Sequence, residues 1–291
     1  MNILVTGGAG FVGTNLIKRL LREGHSVVSM DDYSTGTRKN HIDGCMYLFN
    51  DINNIQDIVD NPLPMDLEDI DYCFHLAALP RIQPSFDNPD ETYRVNTTGT
   101  HSILSFCWEY NIKVIYSGSS SRWHDPYQSP YATTKYLGEE LCKMYRRVYN
   151  LDAQIVRFYN VYGPHEITEG DWAAVIGKWR GQIERGDPIT IVGDGEQRRD
   201  FTHIDDIVDA LYKIMLNETV EYTEPWELGT GISYSIKELY EMFCERFGSV
   251  EVKYLPEQKG NYRSTQRETD RALDALGWEP QDRLKDYIKG L

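Results

Sequence analysis

The stretch Asn2-Ile3-Leu4-Val5-Thr6-Gly7-Gly8-Ala9-Gly10-Phe11-Val12-Gly13 decides the fold. Ile3–Val5 reads as a short strand, and it runs straight into a glycine-rich turn that opens an amphipathic stretch, Phe11–Arg22, with helical spacing. Strand, turn and helix in that order gather free backbone N–H groups and the positive end of a helix dipole at one point, where an anion binds. Gly7, Gly10 and Gly13 give GxxGxxG, which allows a tight turn and close approach of backbone to a pyrophosphate. The spacing alone is weak; its place between a first strand and a first helix makes it a dinucleotide-binding signature. Gly7, Gly10, Phe11 and Val12 are its candidate contacts.

Outward from this turn, the second strand Ser26–Met30 ends on Asp31-Asp32. A carboxylate roughly twenty residues after the glycines is placed for the adenosine ribose hydroxyls and would repel a 2′-phosphate, which favours NAD over NADP. Asp31 is preferred because it comes first after the strand, with Asp32 beside it. Arg38 and Lys39 read as solvated loop cations. A third strand, Met46–Phe49, ends at Asn50-Asp51-Ile52, where Asp51 and Ile52 either face the adenine or form a plain strand-end turn. Strands at Tyr72–Leu76, Lys113–Tyr116 and Gln154–Phe158 then alternate with helical stretches at Glu91–Tyr110 and Tyr131–Tyr149. Such alternation implies an α/β fold with a parallel sheet covered on both faces, whose strands read as continuous apolar runs. From about Gly163 the rhythm changes to irregular polar stretches around one amphipathic helix, Ser235–Phe247. The expected division is a dinucleotide-binding domain over 1–163, with returning segments near 200–231, and a smaller C-terminal lobe over 164–291.

Composition narrows the function classes. The chain has 291 residues, 41% of them hydrophobic, enough for one large or two small cores. A formal net charge of -15 makes it a poor partner for nucleic acid or an anionic membrane. No apolar run approaches the ~20 residues of a spanning helix, and the N-terminus lacks a signal peptide's pattern. Cys45, Cys73, Cys107, Cys142 and Cys244 are odd in number and scattered, which suits reduced thiols in the cytoplasm and argues against a zinc site.

Ser129-Pro130-Tyr131-Ala132-Thr133-Thr134-Lys135 reads as a helix start, with Ser129 as N-cap and Pro130 in the first helical position. Tyr131 and Lys135 then share one face. A free tyrosine has a pKa of ~10. A nearby ammonium favours the phenolate, which can take a proton from a sugar hydroxyl while hydride leaves the same carbon. A YxxxK is common in surface helices; here it follows the serine cluster Ser117-Gly118-Ser119-Ser120-Ser121 at a strand end, downstream of the phosphate turn.

Taken together these blocks resemble the NAD-dependent epimerase/dehydratase family of extended short-chain dehydrogenase/reductases. The resemblance extends through His75-Leu76-Ala77-Ala78 with Asn96 and Gly99-Thr100, Arg157-Phe158-Tyr159-Asn160-Val161-Tyr162-Gly163-Pro164, Arg199-Asp200-Phe201-Thr202-His203-Ile204-Asp205-Asp206 and Leu276-Gly277-Trp278-Glu279-Pro280. It implies a Rossmann-type doubly wound sheet with a smaller C-terminal α/β substrate lobe, NAD as cofactor, a nucleotide-sugar substrate and a homodimer built on the helices at 91–110 and 131–149. It also implies roles. Ser119 would hydrogen-bond the reacting sugar oxygen, with Ser117 and Ser120 as fallbacks; Tyr131 would be the base, and Lys135 would hold the nicotinamide ribose. Leu76, Ala77, Ala78, Asn96 and Tyr159 would lie along the cofactor. Ser120, Asn160, Val175 and Arg199 would meet the substrate, Arg199 as a guanidinium clamp on the diphosphate or else as a surface ion pair beside Arg198.

Three departures stand out. Only eleven residues, 120 to 130, separate Ser119 from Tyr131, where relatives have a longer loop over the sugar, and Arg122-Trp123-His124 replaces the family's Val-Tyr-Gly. His124 is then either an extra acid or base or an ordinary loop histidine. Gln258 replaces the arginine of an Arg-x-Gly-Asp motif, so Lys259 or Arg263 would substitute as phosphate contact. Ser120 and Ser121 replace the Asp-Glu pair of family dehydratases and the glutamate of related decarboxylases. The expected function is therefore a 4-epimerase of a UDP-linked hexose working through a 4-keto intermediate. The alternatives are a dehydratase, decarboxylase or keto-sugar reductase and, in another class, a catalytically silent NAD-binding sensor or scaffold.

Overall fold

The computed structural model describes residues 1–60 and 65–291. Its main sheet has seven strands in the order β10-β6-β5-β4-β1-β2-β3. They are β1 (Asn2–Thr6), β2 (Ser26–Asp31), β3 (Cys45–Phe49), β4 (Ile70–His75), β5 (Lys113–Ser119), β6 (Ala153–Phe158) and β10 (Trp226–Leu228). Every pairing in it is parallel. The strands alternate their side chains between two cores. Leu4, Val28, Cys73 and Ile155 face one side, and Ile3, Val5, Val27, Phe74, Ile115 and Val156 the other. Both faces are covered, so neither could be polar, which is why these strands read as unbroken apolar runs.

The first face is covered by α4 (Thr100–Glu109) and α5 (Pro130–Tyr149), through Ile103, Leu104, Cys142 and Tyr145. The second is covered by α1 (Phe11–Arg22) and α7 (Ile204–Leu216), through Leu16, Ile17, Leu20, Ile207, Leu211 and Ile214. The expected helix over Glu91–Tyr110 is present as one continuous run, α3 (Pro89–Tyr93), a π-helical turn at Arg94–Gly99, and α4, with helical backbone angles at both junctions. The widened turn lies where Gly99 backs onto Ile52, so closely that a Cβ at Gly99 would lie 2.5 Å from Ile52 Cδ1. Before α3, the short α2 (Ile82–Asp87) follows the loop after β4.

The rest of the chain forms a second packed unit. β9 (Arg198–His203) pairs with β7 (Asn160–Tyr162), β11 (Ser233–Ser235) and β13 (Ser264–Thr265), while β8 (Ile189–Val192) pairs with β12 (Val252–Leu255). Its core joins Trp179 of α6 (Val175–Arg185), Ile189, Ile191, Phe201, Leu239 and Phe243 of α8 (Ile236–Phe247), and Leu284 and Ile288 of α10 (Leu284–Lys289). Helix α8 opens with a reciprocal capping box between Ser235 and Glu238. A short α9 (Arg271–Leu276) brings Trp278 back under α7, where its indole N–H donates to the Asp206 carbonyl at 2.8 Å. The strand β10 was not anticipated; three residues are too few to show a period. Among the described residues no helix is long and apolar enough to cross a membrane.

Candidate active site

A cavity of about 630 Å³ opens beyond the C-terminal ends of β1, β2, β4, β5 and β6 and is closed on its far side by the second unit. Ligands of open parallel sheets bind at this edge.

At one end lies the glycine turn. Gly7 has φ 73°, and a Cβ there would lie 2.8 Å from the Ala77 amide nitrogen, so no side chain fits between the turn and the loop after β4. Its N–H donates to Met30 O at 2.8 Å. Gly10 is the N-cap of α1 and has no side-chain cap. The first-turn N–H groups therefore keep their hydrogen-bonding capacity, and Gly10, Phe11 and Val12 line the cavity. Asp31 and Asp32 line it too. Buried Asp31 braces the turn, accepting from Ala9 N at 2.9 Å and Tyr33 N at 2.8 Å, and burial raises its pKa. Asp32 accepts from the N–H and hydroxyl of Ser34, at 2.9 and 2.6 Å. Asp51 and Ile52 reach the same end, but the Asp51 carboxylate is committed to Asn53 and to Arg94 at 2.6 Å, which makes it a strand-end brace. A side-chain-free turn, an uncapped helix start and a carboxylate at the end of β2 fit a dinucleotide without rearrangement.

Leu76, Ala77 and Ala78 continue along the cavity. Asn96 does not line it. Its amide grips the Leu79 backbone on both sides, accepting from N at 2.8 Å and donating to O at 3.1 Å, and so fixes the loop that does. His75 is fully buried between the Thr6 and Thr100 hydroxyls, at 2.8 and 3.0 Å, and burial lowers its pKa to about 3, so it is neutral.

Midway along the cavity, β5 ends at Ser119 and α5 begins. Ser129 caps α5 through Ala132 N at 3.1 Å, with Pro130 in its first turn. The Tyr131 hydroxyl donates to Ser119 Oγ at 3.2 Å, and Ser121 N donates to the same oxygen at 3.1 Å. One turn on, the Lys135 ammonium donates to Ser117 O at 2.9 Å and lies over the Tyr116 ring. Burial lowers its pKa to about 8. Burial raises that of Tyr131, opposed by the Ser119 hydrogen bond and the charge of Arg81. Lys135 is turned to the Ser117 carbonyl, and the charge of Arg81 also acts on Tyr131.

At the far end, Tyr159 donates from its hydroxyl to Glu227 at 2.8 Å, and Asn160 reaches Asp200 O and Thr265, both at 3.3 Å. Ser120, Val175 and Arg199 line the cavity with them. Arg199 makes no ion pair among the described residues; it donates to Arg198 O at 2.8 Å, and burial lowers its pKa to about 10. The surface pair belongs to Arg198, with Glu238 at 3.0 Å. Arg263 is not brought to the cavity. It is held outside by both Asp194 oxygens at 2.9 and 3.1 Å, and exposed Lys259 lies over Phe86.

Three contributors were missed in the sequence. Tyr262 lines the cavity, with a buried hydroxyl that has no partner among the described residues. Its ring stacks on His124 at 3.8 Å between centroids and 9° between planes. The short loop is thus filled by a residue from more than a hundred positions away, and His124 is the prop of that ring. Arg81 and Glu166 also line the cavity. The residues next to the Arg-x-Gly-Asp position and the cation after Leu79-Pro80 were the available signals.

Comparison with known proteins places this geometry. The model of the NAD dependent epimerase/dehydratase family matches residues 3–229. A UDP-glucose 4-epimerase of Mycolicibacterium smegmatis is 33% identical, covering 99% of this chain and 96% of its own. UDP-glucuronic acid decarboxylase 4 of Arabidopsis thaliana is 28% identical over 99% of this chain and 67% of its own. The crystal structure of UDP-glucose 4-epimerase with UDP-glucose from Thermotoga maritima superposes with a TM-score of 0.89 at 29% identity, covering 99% and 96% of the two chains.

Proposed function

The chain belongs to the NAD-dependent epimerase/dehydratase family, and from that premise we propose that it is a 4-epimerase of a UDP-linked hexose. The observation that carries this reading is the Tyr131–Ser119 pair at 3.2 Å, with serines rather than carboxylates at positions 120 and 121. Tyr131 removes the proton of the sugar 4-hydroxyl, and Ser119 hydrogen-bonds the same oxygen as it becomes a carbonyl. Lys135 holds the nicotinamide ribose and, once turned from Ser117, supports the phenolate. NAD, held by Gly7, Gly10, Phe11, Val12, Asp31 and Asp32, supplies a reversible acceptor for hydride. Arg199 and Asn160 hold the substrate's diphosphate, and Tyr159 and Val175 wall the site. A flat 4-keto sugar that turned over in the site would take the hydride back on its other face, giving the C4 epimer. A dehydratase needs an acid and a base besides Tyr131, and hydroxyls at 120 and 121 serve neither task.

The protein, without added coenzyme, converts a UDP-hexose to its C4 epimer as followed by NMR, and Tyr131→Phe abolishes this while NAD stays bound. A fully active Tyr131→Phe sinks the assignment. Assembly as a homodimer rests on the outer faces of α4 and α5. Tyr145 is buried, and Tyr110, Leu141 and Met144 pack against the core; the exposed apolar side chains are Trp108, Val148 and Tyr149. Light scattering at working concentration gives a dimer mass on this reading and a monomer mass otherwise.

A further inference from the structure

Arg81 is a cation that the proposed chemistry leaves without a task. It follows the loop after β4, at the N-terminus of α2, and lines the cavity. Its Nε donates to the Trp172 carbonyl at 2.9 Å, which fixes the guanidinium at the cavity wall. It makes no ion pair among the described residues. The acid that acts on its charge, Glu166, is already bonded to Arg180 at 3.1 Å and to the Tyr287 hydroxyl at 3.2 Å. Taking a guanidinium out of water without a counter-charge is unfavourable unless an anion arrives with the ligand. The dinucleotide's pyrophosphate has the start of α1, and the diphosphate of the sugar nucleotide has Arg199. Arg81 opens α2, whose Ser85 hydroxyl accepts from the Tyr131 N–H at 3.1 Å, and this packing sets it on the side of Tyr131, the group that meets the sugar's 4-hydroxyl; each influences the other's charge. On a hexose C4 lies between C3, which carries a hydroxyl, and C5, which carries C6. An anion at C6 is therefore the one a cation beside Tyr131 reaches.

We infer that Arg81 selects a sugar nucleotide whose hexose carries a C6 carboxylate, pairing with it through the Nη edge that Trp172 leaves open. This rests on the 4-epimerase reading for the placement of C4 at Tyr131. A planar guanidinium matches a carboxylate with two parallel hydrogen bonds, which a neutral C6 hydroxymethyl cannot accept with the same charge.

The test measures binding rather than turnover, so it stands apart from the reaction. NAD-loaded Tyr131→Phe protein is titrated calorimetrically with UDP-glucuronate and with UDP-glucose. UDP-glucuronate binds at least about tenfold more tightly, the effect expected of one charge-assisted pair. Adding Arg81→Met brings the two affinities within about threefold of each other, and Arg81→Lys restores part of the difference. Equal affinities in Tyr131→Phe, or a preference that survives Arg81→Met, overturn the inference. Should the Arg81 variants not fold, the comparison of the two ligands on Tyr131→Phe alone still decides. Wild-type turnover of UDP-glucose with no preference for the uronate would overturn this inference and leave the epimerase reading intact.

Discussion

Two sets of charged and polar groups in the molecule are built on opposite terms. Behind β5 and β6, Arg157 donates to both Glu139 oxygens at 3.0 and 2.8 Å and to Glu227 at 3.3 Å. Glu227 also accepts from Tyr159, from Glu268 N at 2.8 Å and from the Trp123 indole. Glu139 and Glu227 are each 1% exposed, and every charge there is matched. In the cavity, among the described residues, Arg81 makes no ion pair, the Tyr262 hydroxyl has no partner, and Glu166 leaves one oxygen unpartnered. A closed cluster fixes α5, β6, β10 and the short loop as one block; an open set leaves capacity that a ligand completes. Unsatisfied polar groups in a folded chain are costly, so a ligand that pairs with those lining the cavity gains affinity from them.

That contrast can be broken in graded steps. Tyr131→Phe removes the proposed base and lowers kcat by about 10³-fold, the scale of general acid–base catalysis, with NAD content by absorbance unchanged. Glu139→Gln opens the closed cluster: Arg157 keeps Glu227 alone, and urea unfolding should show a loss of roughly 3 kcal/mol, as for a buried pair stripped of one partner. Because Glu139 also supports the charge of Lys135 one turn away, the same variant lowers the Lys135 pKa further. An unchanged midpoint would mean that the cluster contributes no rigidity.

His75 sharpens the comparison through pH. Its folded pKa is about 3, well below the unfolded value of ~6.5, because it is buried neutral. The unfolded chain therefore binds the extra proton between these values, and stability falls as pH falls through that window. From pH 6.5 to 5 the loss is roughly 2 kcal/mol. His75→Gln, which cannot titrate, should show a correspondingly flatter profile in denaturant titrations; parallel profiles contradict the assignment. The smallest effect belongs to Tyr262→Phe, which deletes only the unpartnered hydroxyl. UDP should bind about tenfold more weakly, the worth of one hydrogen bond to a charged group, with kcat changed less than KM. Equal UDP affinity would remove Tyr262 from the substrate.

The same contrast explains what the sequence disclosed. The glycine turn, Asp31, Ser119, Tyr131 and Lys135 were legible because each lies at a strand end or helix start, where local pattern dictates position. The strands were visible as apolar runs because two cores enforce them. Arg263 was misplaced, since nothing local distinguishes it from a phosphate ligand, yet Asp194 holds it outside. Tyr262 and Arg81 were invisible for the complementary reason: each enters the cavity through a tertiary approach, Tyr262 by stacking on His124 and Arg81 by reaching Trp172. The helix expected at 91–110 runs from 89 to 109, and only its π-helical turn, where Gly99 backs onto Ile52, was hidden, because no period reveals that contact.

The most direct test of the central claim is to incubate the purified protein, with no coenzyme added, with UDP-glucose, UDP-N-acetylglucosamine and UDP-glucuronate separately, and follow C4 configuration by NMR. The account predicts the C4 epimer of at least one of them with no net change in nicotinamide redox state. Release of carbon dioxide, loss of water, or no conversion by protein shown to carry NAD would contradict it.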